Sequence, residues 1–185
     1  MVYILLGAGF EEAEALVTAD VLRRADIPVT LAGIGGDAVT GSHGITVQAD
    51  LPVERAALKA GDMVVLPGGM GGVASMEGSK EAMTLIRQAA SGDEYWLAAI
   101  CAAPTLLARA GLLPKGAPCV CYPGLEDELS QAGAVPQMDR STVTEGRLIT
   151  GRGPGSAFDF GLALVEALAG AGASGVVRAG LQYGL

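Results

Sequence analysis

The sequence predicts an α/β fold, with a mostly parallel sheet covered by helices on both faces. Short continuous apolar runs bounded by Gly and Pro read as strands buried on both sides. Stretches of helical length and spacing separate them, which is the alternation of a parallel α/β architecture. Punctuation is even: 28 Gly and 9 Pro are spread along 185 residues without linker, repeat or low-complexity block. Residues 1–185 are therefore expected to form a single domain, long enough to bury its own core.

Val2–Leu6 reads as the first strand, and Glu11–Ala25 has the length and spacing of the helix after it. Pro28–Ile34 is the second strand. Gly35-Gly36-Asp37 and the polar alternation Gly41–Gln48 predict a small β-hairpin excursion. Glu54–Ala60 is expected to be helical and Met63–Leu66 a buried strand, with glycine-rich loop Leu66–Val73 behind it. A helix over Ser79–Ala90, a strand over Leu97–Ile100 and a helix over Ala103–Ala110 follow. Pro104 falls near the first turn of the last, where a missing N–H does no harm. Pro118–Cys121 is a fifth strand, and Thr142–Thr150 a tight hairpin around Glu145-Gly146. Ser156–Ala169 closes the chain as a helix, with Ser156 as its cap and Asp159 three residues on.

Twelve Lys and Arg against 20 Asp and Glu give a net charge of −8. That balance opposes binding to a phosphate backbone or an anionic membrane surface, where cations must replace counterions. The longest uncharged apolar stretch, Tyr95–Ala108, is broken by Pro104 and stopped by Arg109, too short to span a bilayer. Met1 runs directly into Val2–Leu6 with no basic leader, so the expected location is cytoplasmic. Three Cys do not make a disulfide framework, and a reducing compartment keeps them as thiols.

In open parallel sheets, ligands sit where loops leave the carboxyl ends of strands. Gly7–Glu14, Leu66–Val73, Ile100–Thr105 and Gly151–Gly155 are the loops that rule selects. The third is the most informative: an apolar strand runs into Cys101, and small residues with Pro104 follow. This is the layout of a nucleophile elbow with Cys in place of Ser. A thiol there meets a helix N-terminus and exposed N–H groups, both of which lower its pKa. A buried structural Cys has the same spacing. Glu11, Glu12 and Glu14 read individually as solvated acids complementing a helix start. A carboxyl held beside the thiol would instead share a proton with it and titrate as one coupled unit.

Gly9-Phe10-Glu11-Glu12-Ala13-Glu14, Asp20-Val21-Leu22-Arg23-Arg24-Ala25, Leu66-Pro67-Gly68-Gly69, Ala99-Ile100-Cys101-Ala102-Ala103-Pro104 and Gly151-Arg152-Gly153-Pro154-Gly155 occur in this order. In these motifs, nearly end to end, the chain resembles the ThiJ/PfpI superfamily, and within it the DJ-one branch. The resemblance implies a flavodoxin-like three-layer αβα sandwich and a homodimer, with no cofactor and no metal. It implies Cys101 as nucleophile and Glu14 as its proton-sharing partner. Oxyanion-binding N–H groups fall on Gly69 and Ala102, in a site that also takes in Gly68, Tyr122 and Pro154. Pro154 would approach the partner subunit's site, and Arg24 would lie near the dimer interface. The branch often has His where this chain has Tyr122, which leaves the proton chemistry mainly to Glu14.

From this follows a cofactor-independent enzyme of the glyoxalase or protein deglycase type, acting on small reactive 2-oxoaldehydes or their adducts. The alternative is a redox-responsive stress protein or chaperone, with Cys101 oxidised to the sulfinic level and Glu14 bonded to the oxidised group. His43, the only histidine, reads as a surface turn residue on a polar excursion distant in sequence from the elbow. The absence of a His downstream of Cys101 argues against a Cys-His-acid hydrolase. Gly7-Ala8-Gly9-Phe10-Glu11-Glu12 lacks the third Gly of a dinucleotide fingerprint, and Gly72–Lys80 has the wrong spacing for a P-loop. Cys119 and Cys121 lie on one face of a strand, but nothing completes a four-ligand metal set, and they read as packed core thiols. Cys121 near Cys101 would permit a redox partnership.

Overall fold

In the computed structural model, which describes residues 1–184, strand and helix alternate as the periodicity requires. β1 (Val2–Leu6) leads into α1 (Glu12–Arg24) and β2 (Val29–Gly33). A hairpin of β3 (Ala38–Thr40) and β4 (Thr46–Gln48) and a short strand β5 (Leu51–Pro52) follow. β6 (Met63–Leu66) leads into α2 (Met70–Gly78) and α3 (Lys80–Ala90), and β7 (Trp96–Ile100) into α4 (Ala103–Arg109). Next come β8 (Pro118–Cys119), α5 (Glu126–Gln131) and β9 (Val135–Pro136). The hairpin β10 (Thr142–Glu145) and β11 (Leu148–Gly151) precedes the last helix, α6 (Ala157–Gly180).

Seven strands form one sheet in the order β10-β11-β7-β6-β1-β2-β5, parallel throughout except for β10 against β11. Every residue of β6 is buried, and all of β7 but Trp96, so these strands need cover on both faces. The connection β1–α1–β2 steps one way along the sheet and β6–α3–β7 the other. Right-handed crossovers then place α1 and α3 on opposite faces, which makes the layers. The parallel run β2-β1-β6-β7-β11 has flavodoxin-like order, with its direction reversing between β1 and β6. Loops from β1, β6 and β7 converge beside that reversal. Phe10, Phe160, Ile4, Leu5, Leu6, Met63 and Ile100 are fully buried around it, each contributing about 1.5–3 kcal/mol of burial.

Several expectations need correction. Glu54–Ala60 is not a helix; a single 3-10 turn covers Val53–Arg55. No residue of the expected segment is buried, and Val53, just before it, is the nearest that is, so no apolar stripe rewards a helix. The Asp62 side chain instead accepts from Lys59 N at 2.8 Å. The strand expected over Pro118–Cys121 stops at Cys119 and pairs with β9, outside the main sheet. Val120 N already donates to Thr150 Oγ1 at 3.0 Å, and Tyr122 N to Cys101 O. The loop through Leu66–Val73 is the start of α2 from Met70 onward. The β10–β11 turn falls on Gly146 and Arg147 rather than Glu145 and Gly146, since Glu145 pairs with Leu148. Helix α6 runs beyond Ala169, but Gly170 (φ 88) breaks it at the expected end. Ser156 does not cap it through Asp159. Its hydroxyl donates to Gly153 O at 2.8 Å, and Asp159 faces Arg178 at 3.8 Å. By length and composition α6 matches a membrane span, yet the break divides it, and Gly161 packs on Val21 of α1.

Candidate active site

Cys101 directly follows β7 with φ 64, the left-handed region that costs a residue bearing Cβ roughly 1–2 kcal/mol. Ladder bonds on both sides hold it there. Its N–H donates to Gly151 O at 2.9 Å, and its carbonyl accepts from Tyr122 N at 2.8 Å. The side chain, 8% exposed, turns out of the sheet toward the loops after β1 and β6.

Glu14, in the first turn of α1, is 1% exposed. Its Oε2 accepts from Gly68 N at 2.6 Å. Gly68 is a steric requirement of this pairing. A Cβ there would stand 2.6 Å from Cys101 Cβ, 2.7 Å from Glu14 Oε2 and 3.0 Å from Cys101 Sγ. Gly69 (φ 80) caps α2, and its N–H and that of Ala102 are directed at the sulfur, favouring the thiolate.

Burial nevertheless dominates. It pushes the Cys101 thiol up to about 12, helped by the charge of Glu14 and the hydrogen bond to it, against the two N–H groups. Burial likewise raises Glu14 from 4.5 to about 7, against the bonds from Gly68 and Cys101 and together with the charge of Glu11. The expected lowering of the thiol by a helix end is therefore corrected. Helix α4 has only seven residues, and the desolvated carboxylate opposes a second negative charge. Sulfur and carboxyl behave as one unit with apparent values that belong to the pair. While Glu14 is charged the thiol keeps its proton, and a proton on Glu14 removes the charge that holds it there.

The sulfur opens into a cavity of about 710 Å³ lined by Glu11, His43, Gly69, Met70, Cys101, Ala102, Tyr122, Pro123, Gly124, Leu125 and Pro154. All seven predicted site residues are therefore brought together, five on this wall and Glu14 and Gly68 directly behind it. Tyr122 is 49% exposed and faces the cavity; Pro154 lines the cavity of its own chain. Cys119 and Cys121 are fully buried and do not line it. Burial pushes Cys119 up to about 11; burial, then Glu126, pushes Cys121 up to about 12. Arg24 pairs with Asp20 on its own helix at 2.8 Å.

His43 is the residue sequence reasoning missed. It is exposed, as expected, but it is at the site. The β3–β4 hairpin folds over the start of α1, with Gly9 N on Thr40 O and Ser42 N on Phe10 O, both at 2.8 Å. His43 Nδ1 then lies 3.0 Å from Glu12 Oε2 and 3.4 Å from Glu11 Oε2. Glu12 also accepts from His43 N at 2.8 Å and Ile45 N at 3.2 Å. Burial raises its pKa, but these bonds with that of its own N–H outweigh it and bring the carboxyl to about 2. In return the bond to Glu12, then the charges of Glu11 and Glu12, raise His43. Glu12 and Glu14 are thus buried and engaged, not solvated helix-start acids. Glu11, Glu12 and His43 have donor atoms within 4.8 Å of one another, but Glu12 is already taken by N–H groups, which makes this a hydrogen-bonded anchor for the hairpin. No local spacing could have announced His43, because the contact depends on hairpin docking.

Residues 1–167 match the model of the DJ-1/PfpI family. The chain is 42% identical over 168 residues to the Drosophila melanogaster protein dj-1beta, covering 90% of this chain and 88% of that one. The crystal structure of Drosophila melanogaster DJ-1beta superposes with a TM-score of 0.92 at 39% identity, covering all of this chain and 98% of the other. A Caenorhabditis elegans relative named glutathione-independent glyoxalase DJR-1.2 is 33% identical over 160 residues, 86% of this chain and 83% of that one.

Proposed function

The chain belongs to the DJ-1/PfpI family, and from that premise we propose that it is a cofactor-independent glyoxalase-type enzyme converting 2-oxoaldehydes to 2-hydroxy acids. The observation that carries this reading is a nucleophilic sulfur on a strained elbow, in contact with a buried carboxyl that titrates near neutrality. The glyoxalase named among its relatives supports the substrate class.

With methylglyoxal, Cys101 Sγ bonds to the aldehyde carbon and the carbonyl oxygen takes up the thiol proton, giving a hemithioacetal. The N–H groups of Gly69 and Ala102, aimed at the sulfur in the free protein, are placed to hold the oxygen that gains charge in this step. Glu14 then removes the hydrogen of that carbon as a proton and returns it to the neighbouring carbonyl carbon, while the hydroxyl proton of the first carbon passes to the oxygen of the second and leaves the first carbon as a carbonyl. The result is a thioester of lactate. Water cleaves it, releasing lactate and restoring the thiol, so one methylglyoxal and one water become one lactic acid. A carboxyl near 7 serves both directions of proton movement at neutral pH.

The test follows methylglyoxal loss and lactate formation in the wild type, Cys101→Ser and Glu14→Gln. Many turnovers are expected in the wild type, with losses on the order of 100-fold or more in each variant. A wild type that forms no lactate, or a Glu14→Gln protein that turns over normally, would sink this reading. A second reading, a peroxide sensor, is favoured by Cys101 lining the cavity while Cys119 and Cys121 are fully buried away from it. Peroxide would oxidise the thiol to sulfenic acid and then to sulfinic acid, releasing one water each time. A peroxide-dependent mass gain confined to Cys101, without lactate turnover, selects it. Under either reading the family resemblance carries a homodimer, for which sedimentation should give twice the chain mass.

A further inference from the structure

Among the described residues, two buried side-chain oxygens find no hydrogen-bond partner: Glu14 Oε1 and Thr18 Oγ1. They are four residues apart on α1, hence on one face and one turn from each other. Both residues are sealed, Glu14 at 1% and Thr18 at 0% exposure. A buried oxygen left alone is costly, and native structures keep few. Here two occur together, beside the reactive pair.

The geometry of the helix sets them on adjacent turns of one face. Helical side chains lean toward the N-terminus, so Thr18 leans toward the turn that holds Glu14. One helical threonine rotamer ties Oγ1 to the carbonyl four residues back, and Thr18 makes no such bond. Its hydroxyl is free to turn. On Glu14, Oε2 is occupied by Gly68 N, and Oε1 retains its capacity.

We propose that Thr18 is a positioning residue for the proton of Glu14, its hydroxyl coupled to Oε1 by a small rotation or through one bridging water. A hydroxyl both donates and accepts. It can donate to the carboxylate and accept from the acid, so it follows Glu14 through both protonation states. The other groups acting on Glu14 are Gly68 N–H, Cys101 across the site and the charge of Glu11 from the preceding loop. Glu12 is turned to His43 and the hairpin. Glu14 Oε1 and Thr18 Oγ1 are thus the two unsatisfied oxygens on this face of α1, and the proposal rests on the reading of Cys101 and Glu14 as a proton-sharing pair.

The test is the pH profile of Cys101 alkylation by iodoacetamide in the full chain, located by mass spectrometry, for the wild type, Thr18→Val and Thr18→Ser. Val keeps the volume and removes the hydroxyl; Ser keeps the hydroxyl. The bond to a charged oxygen is the stronger of the two Thr18 can make, so its loss disfavours the carboxylate. The step near neutrality should move upward by about half a pH unit or more in Thr18→Val and return in Thr18→Ser. Thr18→Ala, the fallback if Val packs badly, should move it the same way. A Thr18→Val profile that overlays the wild type, or a Ser variant that behaves like Val, overturns the proposal. Alkylation needs no turnover, so the result is independent of whether methylglyoxal is a substrate. Glu14→Gln separates the remaining cases. If it abolishes the step while Thr18→Val leaves it in place, the pair stands and Thr18 has no part in it. If it changes nothing, the pair itself falls and the proposal with it.

Discussion

At Cys101 the backbone holds φ 64, a strain that only Gly would relieve, so two inactive variants should differ in stability. Cys101→Gly should resist urea better than Cys101→Ala, by about 1 kcal/mol, although glycine normally weakens a folded chain. Equal midpoints would mean that the elbow stores no strain. Gly68 is the complementary case: a methyl there would meet Cys101 Cβ at 2.6 Å and Glu14 Oε2 at 2.7 Å. Gly68→Ala should lose at least 10-fold in turnover as carboxyl and sulfur are pushed apart, and should lose stability too, because the Cys101 Cβ it meets is fixed to the backbone and gives way only if the elbow shifts. Retained turnover would show that their contact is dispensable. The Cys101 loop was legible in the sequence because a strand, a nucleophile and small residues are contiguous there. Glu14 was legible only through the family motif, since three acids at a helix start have an ordinary explanation. His43 was not legible at all.

At the scale of elements, α2 shows what local sequence omits. Met70-Gly71-Gly72-Val73-Ala74-Ser75-Met76-Glu77-Gly78 is glycine-rich and reads as a loop by propensity, yet it is helical. Tertiary ties supply the difference. Arg109 of α4 binds Glu77 of α2 through Nε at 3.2 Å and Nη2 at 3.1 Å, and Glu128 of α5 through Nη1 at 2.8 Å. The same Nη1 donates to Thr105 Oγ1, whose hydroxyl donates to Ala102 O. One guanidinium thereby links the helices that begin at Gly69, Ala102 and Leu125, all on the cavity wall. Glu77, then Glu128, raise the pKa of Arg109, but all three side chains are at least a third exposed, so solvent screens much of the energy. Arg109→Ala should cost roughly 1 kcal/mol, and the gap from the wild type should narrow in 1 M salt. A loss that salt does not touch would point to packing of the Arg109 stem. Glu54–Ala60 is the reverse error: a helix-compatible string without a buried apolar stripe stays irregular, and Tyr3 Oη donates to its Ala57 O at 3.2 Å, a carbonyl a helix would use internally.

For the whole molecule, the α/β class followed from the alternation of apolar runs and the flavodoxin-like sandwich from the family motifs, because parallel sheets and right-handed crossovers leave few choices. Which buried acids set the response to pH did not follow, since burial is a property of the assembled chain. Glu14 and Glu12 push that response in opposite directions. Glu14 titrates at about 7 in the fold against 4.5 as a free group. Its protonated form is favoured by folding, so the stability it contributes is complete below about 4.5 and is lost as pH rises through 7. The step corresponds to about 3 kcal/mol. Glu12 is held near 2, so its contribution is present above 4.5 and is lost as pH falls toward 2. Together they place the stability maximum near pH 5, despite the net charge of −8 at neutrality. Urea unfolding at pH 3, 5 and 8 should therefore give the highest midpoint at pH 5 in the wild type. Glu14→Gln should flatten the fall between pH 5 and 8 while abolishing turnover, and Glu12→Gln should flatten the fall between pH 5 and 3. A wild type equally stable at pH 5 and 8 would mean that Glu14 finds enough compensation in the fold to ionise freely, and the proton it is proposed to exchange with Cys101 would then be absent at neutral pH.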